Sequence, residues 1–367
     1  MKNYKLLVNT SSKKYPIIIG DKIAENLNRI FKLNKINFNK CLFLIDNNLN
    51  KNKIKKITHP FKKKSKLIFF NSNEKNKNFK SILNILEILQ KEDFNRNDCL
   101  ITIGGGITGD TGGFAASLFK RGLKFINIPT TLLAQVDSSV GGKTGVNTIY
   151  GKNLIGSFYQ PEIVISDTSF LKSLPKREIT CGYGEILKHS IIKDRKFFNF
   201  LDKNVFNILN LKSPYIEKSI LESCKIKQKI VQLDEKESGI RKILNFGHTF
   251  AHAYEAGLSY SKKLNHGEAV LLGMISAINF SKKINIIKTK DFNQIINHYQ
   301  KANLPNNVKK YFSKKDINKL IGFMKNDKKN ISNDINLILL NYIGKVNYKN
   351  KFNTSKLKQF FLKFLDN

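Results

Sequence analysis

A short apolar run that ends in glycines constrains this chain more than any other feature. Cys99-Leu100-Ile101-Thr102-Ile103 is followed directly by Gly104-Gly105-Gly106. A strand this apolar along its length, with no alternation, reads as one buried on both faces, which is the habit of parallel sheets covered by helices. Further runs of the same kind occur at residues 40–46, 66–70, 125–128 and 163–166, each bounded by turn signals. Between them, residues 79–90 carry a helical stripe of Ile82, Ile85, Leu86 and Leu89. The alternation predicts a Rossmann-like α/β domain over residues 1–175.

After Leu174-Pro175 the pattern changes to a 3.6-residue period, in runs at 178–193, 213–233, 245–258, 267–283 and 292–301. Residues 176–367 therefore read as a second, all-α domain, to which 334–340 adds an isolated strand. No internal repeat is found.

Gly104-x-Gly106-x-x-Gly109 follows a strand and precedes a helical run at 111–119. A dinucleotide phosphate needs that context: a tight turn, close backbone approach and a helix N-terminus aimed at the anion. The motif alone is weak, and the acid expected about 20 residues on is missing, because that region reads Lys124-Phe125-Ile126-Asn127. Asp46, ending an earlier strand, is a candidate to hold the ribose instead.

The stretch from Pro129 to Asn147 includes Thr130, Thr131, Asp137, Ser138, Ser139, Gly141, Gly142 and Lys143, and Gly151-Lys152-Asn153 follows. So many small hydroxylated residues fill little core volume. They supply backbone N–H groups, hydroxyls, an acid and lysines, which suits a polyhydroxylated anion.

Three of the six histidines lie close together, in Gly247-His248-Thr249-Phe250-Ala251-His252 and Asn265-His266-Gly267-Glu268. His248 and His252 share one helix face at i, i+4. Glu185 sits upstream in Gly182-Tyr183-Gly184-Glu185. Two imidazoles and a carboxylate form a metal site that leaves positions open for substrate. Four residues compete for three such places, and His252 is either a ligand or an acid/base beside the metal. His59, His189 and His298 have no partners in sequence and read as surface or core residues.

Lys and Arg number 64 against 28 Asp and Glu, a formal net charge of +36. Such an excess suggests nucleic acid or an anionic surface. The lysines, however, alternate with Asn and Ile along the whole chain, so the charge reads as solvated faces, with no nucleic-acid partner. Four cysteines without a Cys-x-x-Cys pair read as reduced thiols of a cytoplasmic protein. The N-terminus lacks a sustained apolar stretch, so no signal peptide is expected. No run approaches ~18 apolar residues, so no membrane partner is expected.

Taken in collinear order, residues 130–147, 151–156, 182–188, 234–241, 245–255 and 266–270 resemble the 3-dehydroquinate synthases, members of the sugar-phosphate cyclases. That resemblance implies NAD and one divalent metal, zinc or cobalt, in a cleft between the two domains. It implies a carbon–oxygen lyase of the shikimate route to aromatic amino acids. The substrate would be 3-deoxy-D-arabino-heptulosonate 7-phosphate, oxidised transiently, relieved of phosphate, reduced again and closed by an intramolecular aldol step.

The resemblance makes Glu185, His248 and His266 the metal ligands and puts His252 near the reacting groups. Lys143, Lys188 and Arg241 would join His252 in catalysis. Asp137, Lys143, Lys152, Asn153, Lys188, Lys227, Arg241, Asn245 and Lys328 would bind the substrate. Arg121 would reach the phosphate from the neighbouring subunit of a homodimer. NAD contacts would come from Gly106, Gly109, Asp110, Thr130, Thr131, Lys143, Lys152, Phe170 and Ser173. On the adenosine side, Ser72, Glu74 and Lys77 stand where the family has Asp-Gly-Glu-x-x-Lys. Ser72 and Asn73 replace its acid and glycine.

Overall fold

The computed structural model describes residues 3–326 and 334–366. Lys328 lies outside the described residues. The chain divides into two compact units, Met1–Pro175 with Ile216–Lys236, and Lys176–Tyr215 with Glu237–Asn367.

In chain order the elements are β1 (Tyr4–Asn9), β2 (Lys14–Gly20), α1 (Leu27–Leu33), β3 (Cys41–Asp46), α2 (Lys51–Thr58), β4 (Ser65–Phe70), α3 (Phe79–Lys91), β5 (Cys99–Gly104), α4 (Gly106–Leu118), β6 (Lys124–Pro129), β7 (Lys143–Thr148), β8 (Gly151–Phe158), β9 (Ile163–Asp167), α5 (Lys176–Lys193), α6 (Arg195–Leu209), α7 (Tyr215–Leu233), α8 (His248–Gly257), α9 (His266–Lys283), α10 (Thr289–Lys301), α11 (Ile317–Asn326), β10 (Asp334–Tyr342), β11 (Lys345–Asn353) and α12 (Thr354–Phe364).

The first unit is built on a seven-stranded sheet of order β1-β2-β9-β6-β5-β3-β4, in which only β1 pairs antiparallel, with β2. Alternate residues of each strand enter opposite cores. Phe43, Ile45, Ile101, Ile103, Ile126 and Ile128 pack with Leu27 and Phe31 of α1 and Ile54 and Ile57 of α2. Leu42, Leu44, Leu100 and Phe125 pack with Ile82, Ile85 and Leu89 of α3 and Phe114 of α4. Burial on both faces explains the continuous apolar runs, and each such side chain contributes about 1.5–3 kcal/mol.

α4 lies very close to β5, which Gly112 permits. A Cβ there would stand 2.2 Å from Thr102 Cγ2 and 3.1 Å from Leu100 Cδ2. β7 and β8 form a separate antiparallel hairpin.

α7 differs from expectation, since residues 216–236 group with the first unit. Specific bonds account for this. Gln228 Nε2 donates to Leu7 O at 2.7 Å, and Cys224 Sγ to Gln135 O at 3.3 Å.

The second unit is mainly helical. Residues 334–340 belong to β10, which pairs antiparallel with β11 in a hairpin and is therefore not an isolated strand. α5, α8 and α9 form its centre. Gly273 of α9 lies on the start of α8, and a Cβ there would be 2.2 Å from Gly247 O. Among the described residues, no helix is long and apolar enough to cross a membrane.

Candidate active site

The parallel strands of the first unit all point their carboxyl ends one way. The predicted cofactor residues follow those ends: Asp46 after β3, the 72–77 loop after β4, Gly104–Gly106 after β5, Thr130 and Thr131 after β6, and Phe170–Ser173 after β9. Open α/β sheets bind ligands there. Gly105 caps α4 without a side chain, and no acid sits in the first turn of the helix, so its free N–H groups and dipole favour an anion. Thr130 N donates to Gly104 O at 2.9 Å, fixing the loop beside Thr131. Asp46 accepts from Asn48 N and Asn48 Nδ2, both at 3.0 Å.

The 72–77 loop is tied to its neighbours. Ser72 Oγ lies 2.5 Å from Thr108 Oγ1. The buried Lys77 donates to Asp110 Oδ2 at 2.6 Å and also to Asn153 Oδ1. Burial pushes the Asp110 carboxyl up, against the pull of Lys77. Asn147 Nδ2 donates to Glu74 Oε2 at 2.7 Å, and Lys152 Nζ lies 3.7 Å from Glu74 Oε1.

Lys53, which sequence reasoning missed, donates to Ser169 Oγ at 2.6 Å and stands 3.6 Å from the centre of the Phe170 ring. Lys227 of α7 donates to Asp137 O at 2.6 Å and to its carboxylate, beside a single π-turn at Ala134–Ser138. Lys143 is exposed.

In the second unit, both proposed histidine ligands open helices. Gly247 caps α8 at φ 81°, a conformation that suits glycine, and His248 follows it. Asn265 caps α9, and His266 follows that. Asn265 Oδ1 accepts from Glu268 N at 3.0 Å and Glu268 Oε2 from Asn265 N at 3.1 Å, a reciprocal capping box. Arg177 holds the same Glu268 through Nε and Nη2, at 2.8 and 2.5 Å. A helix N-terminus disfavours positive charge, which adds to the forces that keep His248 in its neutral, ligating form. Burial pushes His248 well below the ordinary histidine range, with Lys188, His252 and His266 adding to the effect.

Glu185 of α5 is buried, and among the described residues its Oε2 accepts no hydrogen bond of good geometry although Lys188 Nζ lies against it. One donor atom each from Glu185, His248 and His266 lies within 4.8 Å of the others. His252, one turn beyond His248, stands alongside, its ring centroid 5.6 Å from His248 and 6.3 Å from His266. A buried carboxylate oxygen without a good donor, facing two imidazoles, is a donor set suited to a divalent cation with open positions.

His248 Nδ1 lies 3.3 Å from Phe246 O, and His266 Nδ1 lies 3.1 Å from Glu255 Oε2. Sequence reasoning missed Glu255, although the stripe His248, His252, Glu255 at i, i+4, i+7 carried the signal. Arg241 is buried, and Asn245 Nδ2 donates to Glu237 Oε1 at 2.8 Å. His298 is a core residue, bonded on both sides to Tyr183 and Asp202, each at 2.8 Å.

Residues 67–181 match the family model for the 3-dehydroquinate synthase N-terminal region, and residues 182–330 the model for its C-terminal region. A 3-dehydroquinate synthase from Pelagibacter ubique (strain HTCC1062) is 60% identical over 362 residues, covering 98% of each chain. One from Alkaliphilus metalliredigens (strain QYMF) is 40% identical, covering 91% of this chain and 92% of its own. Among solved structures, 2-deoxy-scyllo-inosose synthase complexed with carbaglucose-6-phosphate, NAD+ and Co2+ superposes with TM-score 0.86 at 24% identity, covering 98% of this chain and 100% of that one. A 2-epi-5-epi-valiolone synthase from Streptomyces hygroscopicus subsp. jinggangensis 5008 with NAD+ and Zn2+ bound gives 0.84 at 20% identity, covering 95% and 96%.

Proposed function

The chain belongs to the 3-dehydroquinate synthase family, and we infer that it converts 3-deoxy-D-arabino-heptulosonate 7-phosphate to 3-dehydroquinate and phosphate. The meeting of Glu185, His248 and His266 supports this reading most directly. These three would hold one divalent ion, zinc or cobalt. The anion-favouring start of α4 would hold the pyrophosphate of NAD. When bound, NAD takes up and returns a hydride, and the metal ion acidifies the hydroxyl that it holds.

The chain's own residues would do the rest. Lys143, Lys152, Lys227 and Arg241 offset the substrate's carboxylate and phosphate charges. Asp137, Asn153 and Asn245 would hold its hydroxyls, and Lys328 would add a further cation for it. His252, beside the ligand set and outside it, is placed to take or return a proton. Lys188 lies against Glu185 and orients it. Asp46, Ser72, Glu74, Lys77, Gly106, Gly109, Asp110, Thr130, Thr131, Phe170 and Ser173 would line the dinucleotide.

The test is to incubate the protein with the heptulosonate phosphate, catalytic NAD and Co(II). Phosphate and dehydroquinate should appear in equal amounts without net NADH. NADH accumulating one-for-one with product would instead indicate a polyol dehydrogenase. His248→Ala should lose metal as well as activity, and unchanged metal stoichiometry would remove His248 from the ligand set.

A homodimer with shared sites is part of the same reading. Lys120, Arg121 and Gly122 all have positive φ, at 47°, 64° and 128°, so a strained turn presents Arg121. The nearby β7–β8 hairpin exposes Ile149 (93%) and Tyr150 (87%), along with Leu154, Ile155 and Phe158. Such an apolar patch suits a partner. Mixing Arg121→Ala with His248→Ala dimers under exchange should regenerate some active sites. No recovery, with heterodimers demonstrably formed, would place Arg121's role within its own chain.

A cytoplasmic location is supported by four buried free thiols. The positive charge is read as dispersed. A strong preference for one nucleic-acid sequence at physiological salt would contradict that.

A further inference from the structure

We propose that Glu255 is a positioning residue. Its carboxylate fixes the ring orientation and tautomer of His266, so that Nε2 is the atom presented to a divalent cation. The inference rests on the reading of Glu185, His248 and His266 as a ligand set.

The geometry is local to α8 and the start of α9. His266 is the first residue of α9, where the Asn265–Glu268 capping box and Arg177 fix its backbone. The cap acts on the backbone and not on the imidazole. Glu255, in the last turn of α8, restrains the ring at 3.1 Å from Nδ1. Glu255 is buried, with a side chain 7% exposed, while that of His266 is 41% exposed. The rigid partner is thus the carboxylate and the open one the imidazole.

With Nδ1–H donated to Glu255, the only remaining ring nitrogen is Nε2, and it carries the lone pair that a cation requires. A carboxylate behind the ring also raises its basicity as a ligand. His248 is held from behind in a different way, by the carbonyl of Phe246 at 3.3 Å. A neutral backbone acceptor on one histidine and a charged acceptor on the other make the two ligands unequal. His266 is the one whose strength depends on a side chain that can be changed.

The test uses the full chain, stripped by chelator and reloaded with Co(II). Affinity is read by competition with a chromophoric chelator, and coordination by the visible absorption of bound Co(II). Glu255→Gln keeps the shape and removes the charge. It should weaken Co(II) binding about 10–100-fold and alter the absorption bands. A cycle with His266→Ala separates positioning from general structure. In the His266→Ala background the same change should shift affinity less than about threefold, because the group through which Glu255 acts is gone.

An unaltered affinity for Glu255→Gln, or an equal loss in both backgrounds, overturns the proposal. If His266→Ala alone binds Co(II) as tightly as the parent, the ligand set is wrong, which is a distinct result. Should Glu255→Gln fail to fold, Glu255→Asp shortens the reach, breaks the same contact and is judged by the same cycle.

Discussion

Gly273→Ala sets two known effects against each other in the helices that carry the histidines. In an exposed helix, Gly→Ala stabilises by about 1 kcal/mol through backbone entropy. At Gly273 the new Cβ would lie 2.2 Å from Gly247 O, 2.9 Å from Ala251 N and 3.1 Å from Ala251 Cβ. The two nearest of these atoms are backbone, so no rotamer change relieves the clash. Ordinary C···O contacts are about 3.3 Å, so α8 and α9 must separate by about 1 Å. Overpacking of this kind costs about 3 kcal/mol at the upper end of its usual range, leaving a net loss of about 2 kcal/mol after the propensity gain.

The displacement has a second consequence. α8 carries His248 and α9 carries His266, and ligand geometry tolerates only about 0.5 Å. Co(II) affinity should therefore fall at least about tenfold, the range seen when a ligand's support is lost. Urea denaturation and Co(II) titration are the assays. Gly322→Ala on α11 is the control, because among the described residues no atom beyond its chain neighbours and its own helix backbone lies within 4 Å of its added Cβ. It should be neutral or stabilising by up to about 1 kcal/mol and leave Co(II) binding unchanged. A Gly273→Ala protein as stable as the parent would refute the close-packing argument.

Glu235 offers a test in acid. Partial burial pushes its carboxyl up, but hydrogen bonds from Ser11, Ser12 and Gln160 outweigh that and bring it to about 2. Its stabilisation is full above the ordinary carboxylate range and is lost as pH falls toward about 2. Glu235→Gln should thus cost about 1 kcal/mol at pH ~7 after solvent screening, with the gap narrowing below pH ~4 and closing only near pH ~2; a gap that widens in acid contradicts this. His298 runs on the same sign from a different cause. Burial holds it below the usual histidine range despite Asp202, so below about pH 6.5 the unfolded chain takes up a proton first and stability declines. Urea midpoints of His298→Gln between pH ~7 and ~5 should lack that share of the slope, and an identical slope would exclude His298 as its source. Gly112→Val should push α4 off Thr102 and Leu100, at a cost of about 3 kcal/mol or more by calorimetry. Parental stability in that variant would count against close α4–β5 packing.

The strands of the parallel sheet were legible because burial on both faces demands largely apolar residues, and Leu42–Ile45 with Leu100, Ile101 and Ile103 supply them. The strand–glycine–helix junction at Gly104–Gly106 was legible for the same local reason. A helix N-terminus needs no side chain when the backbone itself is the binding group. His248 and His252 could be placed on one face from their spacing alone, although spacing left four candidates for three ligand places. Pairings between residues distant in sequence were not legible. Residues 216–233 have the helical period of the second half, and periodicity says nothing about which sheet or helix receives the apolar face. Gln228 on Leu7 and Cys224 on Gln135 make that choice. Residues 334–340 read as a lone strand because the partner, β11, is polar at alternate positions and rich in lysine. His298 looked partnerless because Tyr183 and Asp202 lie more than 90 residues away. Residue types and local periods therefore determined the chemistry available to each unit. The tertiary fold alone decided which carboxylate stands behind which imidazole, because those contacts depend on helices passing within about one atom's width of each other.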